Sequence, residues 1–376
     1  MKKVFISKVA CVTPLGSGPE ALWEGLLDGR SGIAPLTRFS CENYISSIAA
    51  CIKDLKVPAG GSLLDPLLER LAEQLGEVPR DARLIVASTK GEIDKLEVAC
   101  RGVEMLPESV LFEPLLAKIS GRFGLLDTGL NINAACTSST VALARGAAMI
   151  AAGQTDCVLV YAADIVSEFV FSGFSALQAL SGERCKPFDT ARQGLNLGEA
   201  GVALLLMSEE RAMRQKETPL ATIAGWGSAN DAHHVTAPAR DGSGLILACR
   251  AALKKGGIGT EQIAAINAHG TATIYNDAME LTAFNALFAD KLPPLHGVKG
   301  SLGHCLGAAG GVEVLVAGYA LQQQIIPGTV GCEQPEEAGQ GRVSSAPQAI
   351  CGEYLLCTNS GFGGVNAALI LQGGAR

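Results

Sequence analysis

Hydrophobic residues along this chain come in short, nearly unbroken blocks rather than in alternation. Residues 84–88, 158–163, 202–207 and 367–371 are such blocks. Continuous apolar strands fit a sheet covered on both faces. Between them lie Ala- and Gly-rich stretches of helical length, notably 137–152 and 307–321. Strands interleaved with helices predict a layered α/β fold. The pattern also repeats weakly. A strand over 130–135 leads to the helix 137–152, then to strands 157–163 and 201–207. In the second half a strand over 264–268 precedes the helix 307–321 and a closing strand 366–371. The polar stretch 211–218, followed by Pro219, sets the boundary, giving halves 1–216 and 217–376. No long Pro/Ser-rich linker separates them, so the halves are expected to pack together. The apolar start of the chain is broken by Ser7 and Lys8, which reads as an edge strand and not a targeting segment.

Composition narrows the function classes. Charged residues are 18% of the chain and hydrophobic ones 48%, the reverse of what disorder requires. The net charge is −7 with no basic block, which argues against nucleic acid as the main partner. No run of ~20 apolar residues predicts a membrane span. The 12 cysteines include no CxxC pair and are irregularly spaced, as expected of reduced thiols in a cytoplasm. No Cys/His cluster has zinc spacing, so no metal is expected.

One cysteine stands apart. Cys136 falls where the strand ends, just before Thr137, Ser138 and Ser139, which are N-cap residue types. A thiol facing a helix N-terminus is expected to have a lowered pKa and to act as a nucleophile. Two of the five histidines sit beside glycines. His269 lies in Asn267-Ala268-His269-Gly270-Thr271-Ala272-Thr273, and His304 in Lys299-Gly300-Ser301-Leu302-Gly303-His304. Neutral imidazoles there can donate hydrogen bonds to a developing anion. A Gly-rich loop, Asn359-Ser360-Gly361-Phe362-Gly363-Gly364, could present backbone N–H groups as part of an oxyanion hole.

Taken together, the Cys136, His269 and His304 motifs and the terminal loop resemble the elongating β-ketoacyl-acyl-carrier-protein synthases of the thiolase superfamily. So do Lys186-Pro187-Phe188-Asp189-Thr190-Ala191-Arg192, Gly198-Glu199-Ala200 and the segment 230–238. The match covers nearly the whole chain, and the order of separate motifs carries it. The resemblance implies a thiolase-like fold of two pseudo-duplicated halves in a five-layered αβαβα core. It implies decarboxylative Claisen condensation of a Cys-bound acyl group with malonyl-acyl carrier protein, in fatty-acid or polyketide-type synthesis. Cys136 would be the nucleophile, and His269 and His304 would serve decarboxylation. Lys299 would orient this network with Glu313 as its acidic partner, and Asp277 would support it. Thr271 and Thr273 would bond the 4'-phosphopantetheine arm of the carrier protein, the substrate carrier; no bound cofactor is implied. Phe362 would gate the site. Partners would be an acyl carrier protein and, in a homodimer or heterodimer, a second related subunit.

The sequence departs from the family pattern at several points. Thr137 and Ala272 replace more usual residues, and Ser360 stands where a first phenylalanine is usual, which predicts a larger pocket or altered gating. The part before Cys136 is some tens of residues short. Residues 188–200, with Leu195-Asn196-Leu197-Gly198-Glu199-Ala200, look more like secondary-metabolism relatives, including aryl polyene ones. His296, after Pro293 and Pro294, reads as a surface-loop residue. His233 and His234 read as turn or pocket-edge residues, Phe169, Phe171 and Phe174 as core, and Cys305 as packing. Alternatives are a pocket-shaping subunit without elongation, or a malonyl decarboxylase or acyltransferase on the same fold. The presence of Cys136, His269 and His304 argues against the first. A degradative thiolase would carry a second cysteine in the terminal loop, where Phe362 stands instead.

Overall fold

The computed structural model describes residues 2–58, 60–102 and 107–374. An eleven-stranded sheet runs through it. Its main path uses β1 (Val4–Thr13), β2 (Arg83–Ala87), β3 (Leu130–Asn131), β4 (Cys157–Asp164) and β5 (Ala200–Ser208). It continues with β6 (Ala221–Asn230), β7 (Ile263–Asn267), β8 (Leu295–His296), β9 (Tyr354–Gly361) and β10 (Val365–Gln372). The helices that matter here are α1 (Leu64–Leu75), α2 (Phe112–Phe123), α3 (Ser138–Ala151), α4 (Glu168–Ala176), α5 (Ser243–Gly256), α6 (Ile274–Phe288) and α7 (Ala309–Gln323).

The path reads β8–β7–β9–β10–β6–β1–β5–β4–β2–β3. Divided between β6 and β1, each half has the same order: third strand, second, fourth, fifth, first. The senses agree as well. β2 runs parallel to β3 and β4, and the pairs β4–β5 and β5–β1 are antiparallel. β7 runs parallel to β8 and β9, and β9–β10 and β10–β6 are antiparallel. The halves meet where Phe5 pairs with Thr222 and Ile6 with Ala221.

β4 and β5 are buried along their whole length because both faces are covered. Val158 and Val160 of β4 point into the central core with Leu143 and Ala147 of α3 and Val312 and Val316 of α7. Leu159 and Tyr161 point the other way, against Leu67 and Leu71 of α1 and Leu115 of α2. On the far side, Ile266 and Ile370 pack against Leu245 of α5 and Phe284 of α6. Outer helices, one half of the sheet, the central helices, the other half of the sheet and outer helices make five layers. The fold is the thiolase-like α/β arrangement expected.

Two expectations need correction. The first strand is not an edge: β1 lies at the centre, between β6 and β5. Its Ser7 and Lys8 coincide with a register irregularity between Ile6 and Lys8, which accommodates the polar interruption inside the sheet. The register of the repeat also differs. The strand before Cys136 (β3) corresponds by position to β8, which precedes Lys299 and His304, and not to β7 before His269. The Cys136 helix α3 is thus the counterpart of α7. Among the described residues no helix is long and apolar enough to cross a membrane.

Candidate active site

The two central helices bring the chemistry together. Ala135 adopts φ 49°, a left-handed turn that a side chain rarely takes, so the chain bends sharply just before Cys136. Ser138 and Thr137 fasten that bend. Their hydroxyls donate to Ala135 O and Ala134 O, both at 2.6 Å, and the Ser138 oxygen accepts from Ala134 N at 2.9 Å. Thr137 is the residue before α3, but its side chain bonds backward to the turn and does not cap the helix. Cys136 is left at the helix start, 7% exposed.

His269 and His304 close on it. Ligand-capable atoms of Cys136, His269 and His304 all lie within 4.8 Å of one another. The two imidazoles meet edge to face, with centroids 5.2 Å apart. The hydrogen bonds on their far sides fix the tautomers. His304 Nδ1 accepts the Leu306 N–H at 3.2 Å. His269 Nδ1 faces the Lys299 ammonium at 3.2 Å and the Asn359 amide nitrogen at 3.0 Å, both donors. An accepting Nδ1 leaves the proton of a neutral imidazole on Nε2. Burial and the Lys299 charge hold both histidines well below their ordinary value, so they are neutral near pH 7. A Cys/His/His set has donor types that suit a soft metal ion. These tautomers instead present two N–H donors.

Behind His269 lies a closed polar network. The Lys299 ammonium contacts Glu313 Oε1 at 2.6 Å and also donates to His269 O. Glu313 Oε2 accepts from Asn359 at 2.6 Å. Burial raises the Glu313 carboxyl above its ordinary range, against the pull of Lys299 and Asn359. Asp277, also raised by burial, accepts from Phe188 N at 2.7 Å and from Ala272 N at 3.1 Å. It thereby holds Ala272 at φ 65° and shapes the loop that carries Thr271 and Thr273. The two threonine hydroxyls are 3.0 Å apart.

Cys136, His269, His304, Thr271, Thr273 and Phe362 line one mainly apolar cavity of about 290 Å³. The structure thus brings every proposed site residue to the cavity or to the network behind it. The Phe362 N–H faces the cysteine sulfur, and its ring stacks on Phe174 at 5.7 Å. Ser360 also lines the cavity, its hydroxyl held by Asn366 at 2.7 Å.

Several expectations fail here. The Cys136 thiol is not lowered: burial pushes it up to about 11, with Lys299 and the Phe362 N–H acting in the other direction. Desolvation outweighs the helix end. His296 is no surface residue; it is 1% exposed, with neither ring nitrogen partnered. Prolines 293 and 294 suggested a loop, yet the next two residues form β8 beside β7. Of the three phenylalanines only Phe171 is core; Phe169 is exposed and Phe174 lines the cavity. Cys305 is buried packing, and His234 Nδ1 accepts from Thr236 N and Ala237 N in a turn.

Sequence reasoning missed Asn359 and Glu280. Glu280 accepts the N–H groups of His269 and Gly270, both at 2.7 Å, and burial beside Asp277 pushes it up to about 8. Its signal was present: Glu280 follows Asp277 by one helical turn on α6.

Comparison with known proteins places the chain in a family. Residues 1–89 and 115–212 match the family described as beta-ketoacyl synthase, N-terminal domain, and 220–333 match its C-terminal domain. The unmatched stretch 90–114 lies before Cys136. A 3-oxoacyl-[acyl-carrier-protein] synthase 2 of Vibrio cholerae serotype O1 is 31% identical, covering 99% of both chains. One from Vibrio harveyi is 29% identical, covering 99% of this chain and 98% of the relative. Among solved structures, the ishigamide ketosynthase/chain length factor superposes with TM-score 0.90 at 27% identity, covering 100% of both chains. A beta-ketoacyl synthase from Burkholderia phymatum STM815 gives TM-score 0.89 at 25% identity, again over 100% of both chains.

Proposed function

The chain belongs to the beta-ketoacyl synthase family, and from that premise we propose how its own residues perform acyl-carrier-protein-dependent Claisen condensation in fatty-acid or polyketide biosynthesis. The enzyme is an acyltransferase of the 3-oxoacyl-acyl-carrier-protein synthase class. The observation that carries the reading is the convergence of Cys136 with two imidazoles whose Nε2–H groups face the cavity.

In the first half-reaction the Cys136 sulfur attacks the thioester of an acyl carrier protein. A C–S bond forms to Cys136, the old one breaks, and the thiol proton ends on the departing pantetheine sulfur. The Cys136 thiol is raised, so the anion forms only as the attack proceeds. The α3 N-terminus and the Lys299 charge stabilise it at that moment. The N–H groups of Cys136 and Phe362 receive the thioester oxygen as it gains charge.

In the second half-reaction a malonyl thioester loses CO₂. The electron pair moves onto the thioester oxygen, where two neutral N–H donors stabilise the enolate. A charged acid there would protonate the carbanion and waste it. The enolate carbon then attacks the acyl-Cys136 carbonyl. The Cys136 C–S bond breaks, and the thiolate recovers a proton from solvent. Product is a 3-ketoacyl thioester on the carrier.

Thr271 and Thr273 would bond the phosphopantetheine arm, which acts as substrate carrier; no resident cofactor is part of this reading. The halves 1–216 and 217–376 are taken as the functional division, nucleophile in one and histidines in the other. A second subunit, another copy or a related chain, is proposed by analogy with the ketosynthase/chain length factor relative. A cytoplasmic location is proposed from the thiol-rich, disulfide-free composition. The test is partition between half-reactions. His269→Ala and His304→Ala should acylate at Cys136 and fail to release CO₂ from the malonyl thioester; full condensation by either variant removes that histidine from the mechanism.

A further inference from the structure

Asn359 is fully buried on β9, one residue from the cavity wall at Ser360. Every polar atom of its side chain is engaged. Its amide nitrogen donates to Glu313 Oε2 at 2.6 Å and faces His269 Nδ1 at 3.0 Å. Its oxygen accepts the Thr140 hydroxyl, from the first turn of the nucleophile helix α3. The orientation of the amide is forced, because a flipped amide would set its oxygen against the Glu313 carboxylate. The site is also shaped around it. A Cβ at position 310 would lie 1.9 Å from Thr140 Oγ1 and 2.6 Å from Asn359 Oδ1, so only glycine fits there.

We infer that Asn359 is a positioning residue that locks the His269 tautomer. Lys299 also reaches Nδ1, but not as a dedicated donor. Its three protons are all taken, one each by Nδ1, Glu313 and the His269 carbonyl, and an ammonium is free to rotate among them. Asn359 supplies a donor with one fixed direction. It keeps Nδ1 an acceptor and thereby keeps Nε2–H aimed at the substrate oxygen. Through Thr140 the same amide ties the imidazole to the helix that carries Cys136, so donor and nucleophile keep their spacing. This rests on the reading of His269 as an enolate donor.

The test uses Asn359→Ala, with Thr140→Val as a milder variant that leaves the amide in place but removes its anchor. In ¹⁵N-histidine NMR, wild-type His269 should show an accepting Nδ1. Asn359→Ala should show partial conversion to the Nδ1–H form. Malonyl decarboxylation should fall roughly tenfold to a hundredfold in kcat, with KM nearly unchanged, and Cys136 acylation should be kept. Asn359→Ser, which retains a small donor, should recover part of the loss. Thr140→Val should fall between and covers the case in which Asn359→Ala does not fold. An unchanged tautomer, or equal loss of acylation and decarboxylation together with a lower Tm, overturns the inference and leaves Asn359 a packing residue. His269→Ala is run alongside. If that variant still decarboxylates fully, the functional reading falls, and the NMR signal alone judges Asn359.

Discussion

Replacing Lys299 by methionine isolates the electrostatic keystone of the site. Lys299 and Glu313 meet at 2.6 Å with side chains 2% and 1% exposed, so neither has water to fall back on. An ion pair on the surface contributes about 0–1 kcal/mol. Removing one member of a buried pair instead leaves the other charge uncompensated, at a cost of about 3–5 kcal/mol. Lys299→Met should therefore lower stability by that amount in urea or guanidinium unfolding. The double variant Lys299→Met/Glu313→Gln removes the orphaned charge and keeps an amide oxygen for Asn359. It should recover about 2 kcal/mol or more, a coupling typical of residues in direct contact. Activity should not follow stability. Both variants lose a donor to His269 Nδ1, so both should decarboxylate poorly. The reasoning is refuted if the single variant loses less than about 1 kcal/mol, or if the double variant is no more stable than the single. It is equally refuted if the double variant regains decarboxylation along with its fold.

Other outcomes follow from the same geometry. Cys136→Ala should show no acyl adduct by intact mass while still releasing CO₂ from a malonyl thioester, since the two imidazole donors remain. Stability should fall on acidification. Burial holds His296 at about 3 against an ordinary 6.5, so the unfolded chain takes the proton first. That contribution is intact above pH 6.5 and fades as pH falls towards 3. The loss amounts to about 2 kcal/mol by pH 5; a His296→Phe variant should flatten the slope of stability with pH, measured by unfolding at several pH values. Gly310→Ala should lose decarboxylation, because its Cβ collides with Thr140 and Asn359; wild-type rates from it would refute the packing described. Ser360→Phe should narrow the cavity and restrict loading to shorter acyl groups, read from a panel of acyl donors.

Local chemistry was legible in the sequence wherever one segment carried it. The turn before Cys136, the Gly-flanked histidines and the loop at Phe362 each announce themselves within about ten residues. So do the continuous apolar strands, because their composition reports burial on two faces. What stayed hidden depends on neighbours far along the chain. A strand pattern says that Val4–Thr13 pairs, but not that β5 and β6 lie on either side of it. His296 is buried only because β7 and β8 run side by side. Asn359 looks like any turn-former in a Gly-rich stretch until α3, α7 and the His269 loop converge on it. The thiol of Cys136 was misjudged for a similar reason. Its helix end is local, but the burial that dominates it is a product of the folded chain.

The central claim is that Cys136 becomes covalently acylated and that the acyl group is then elongated. Intact-protein mass spectrometry with peptide mapping, after mixing with a panel of acyl-carrier-protein thioesters, tests it directly. The account predicts an acyl mass increment on the Cys136 peptide that disappears when a malonyl thioester is added. An enzyme that acquires no increment from any donor, alone or with a related partner subunit, or one that carries it on another cysteine, would contradict it.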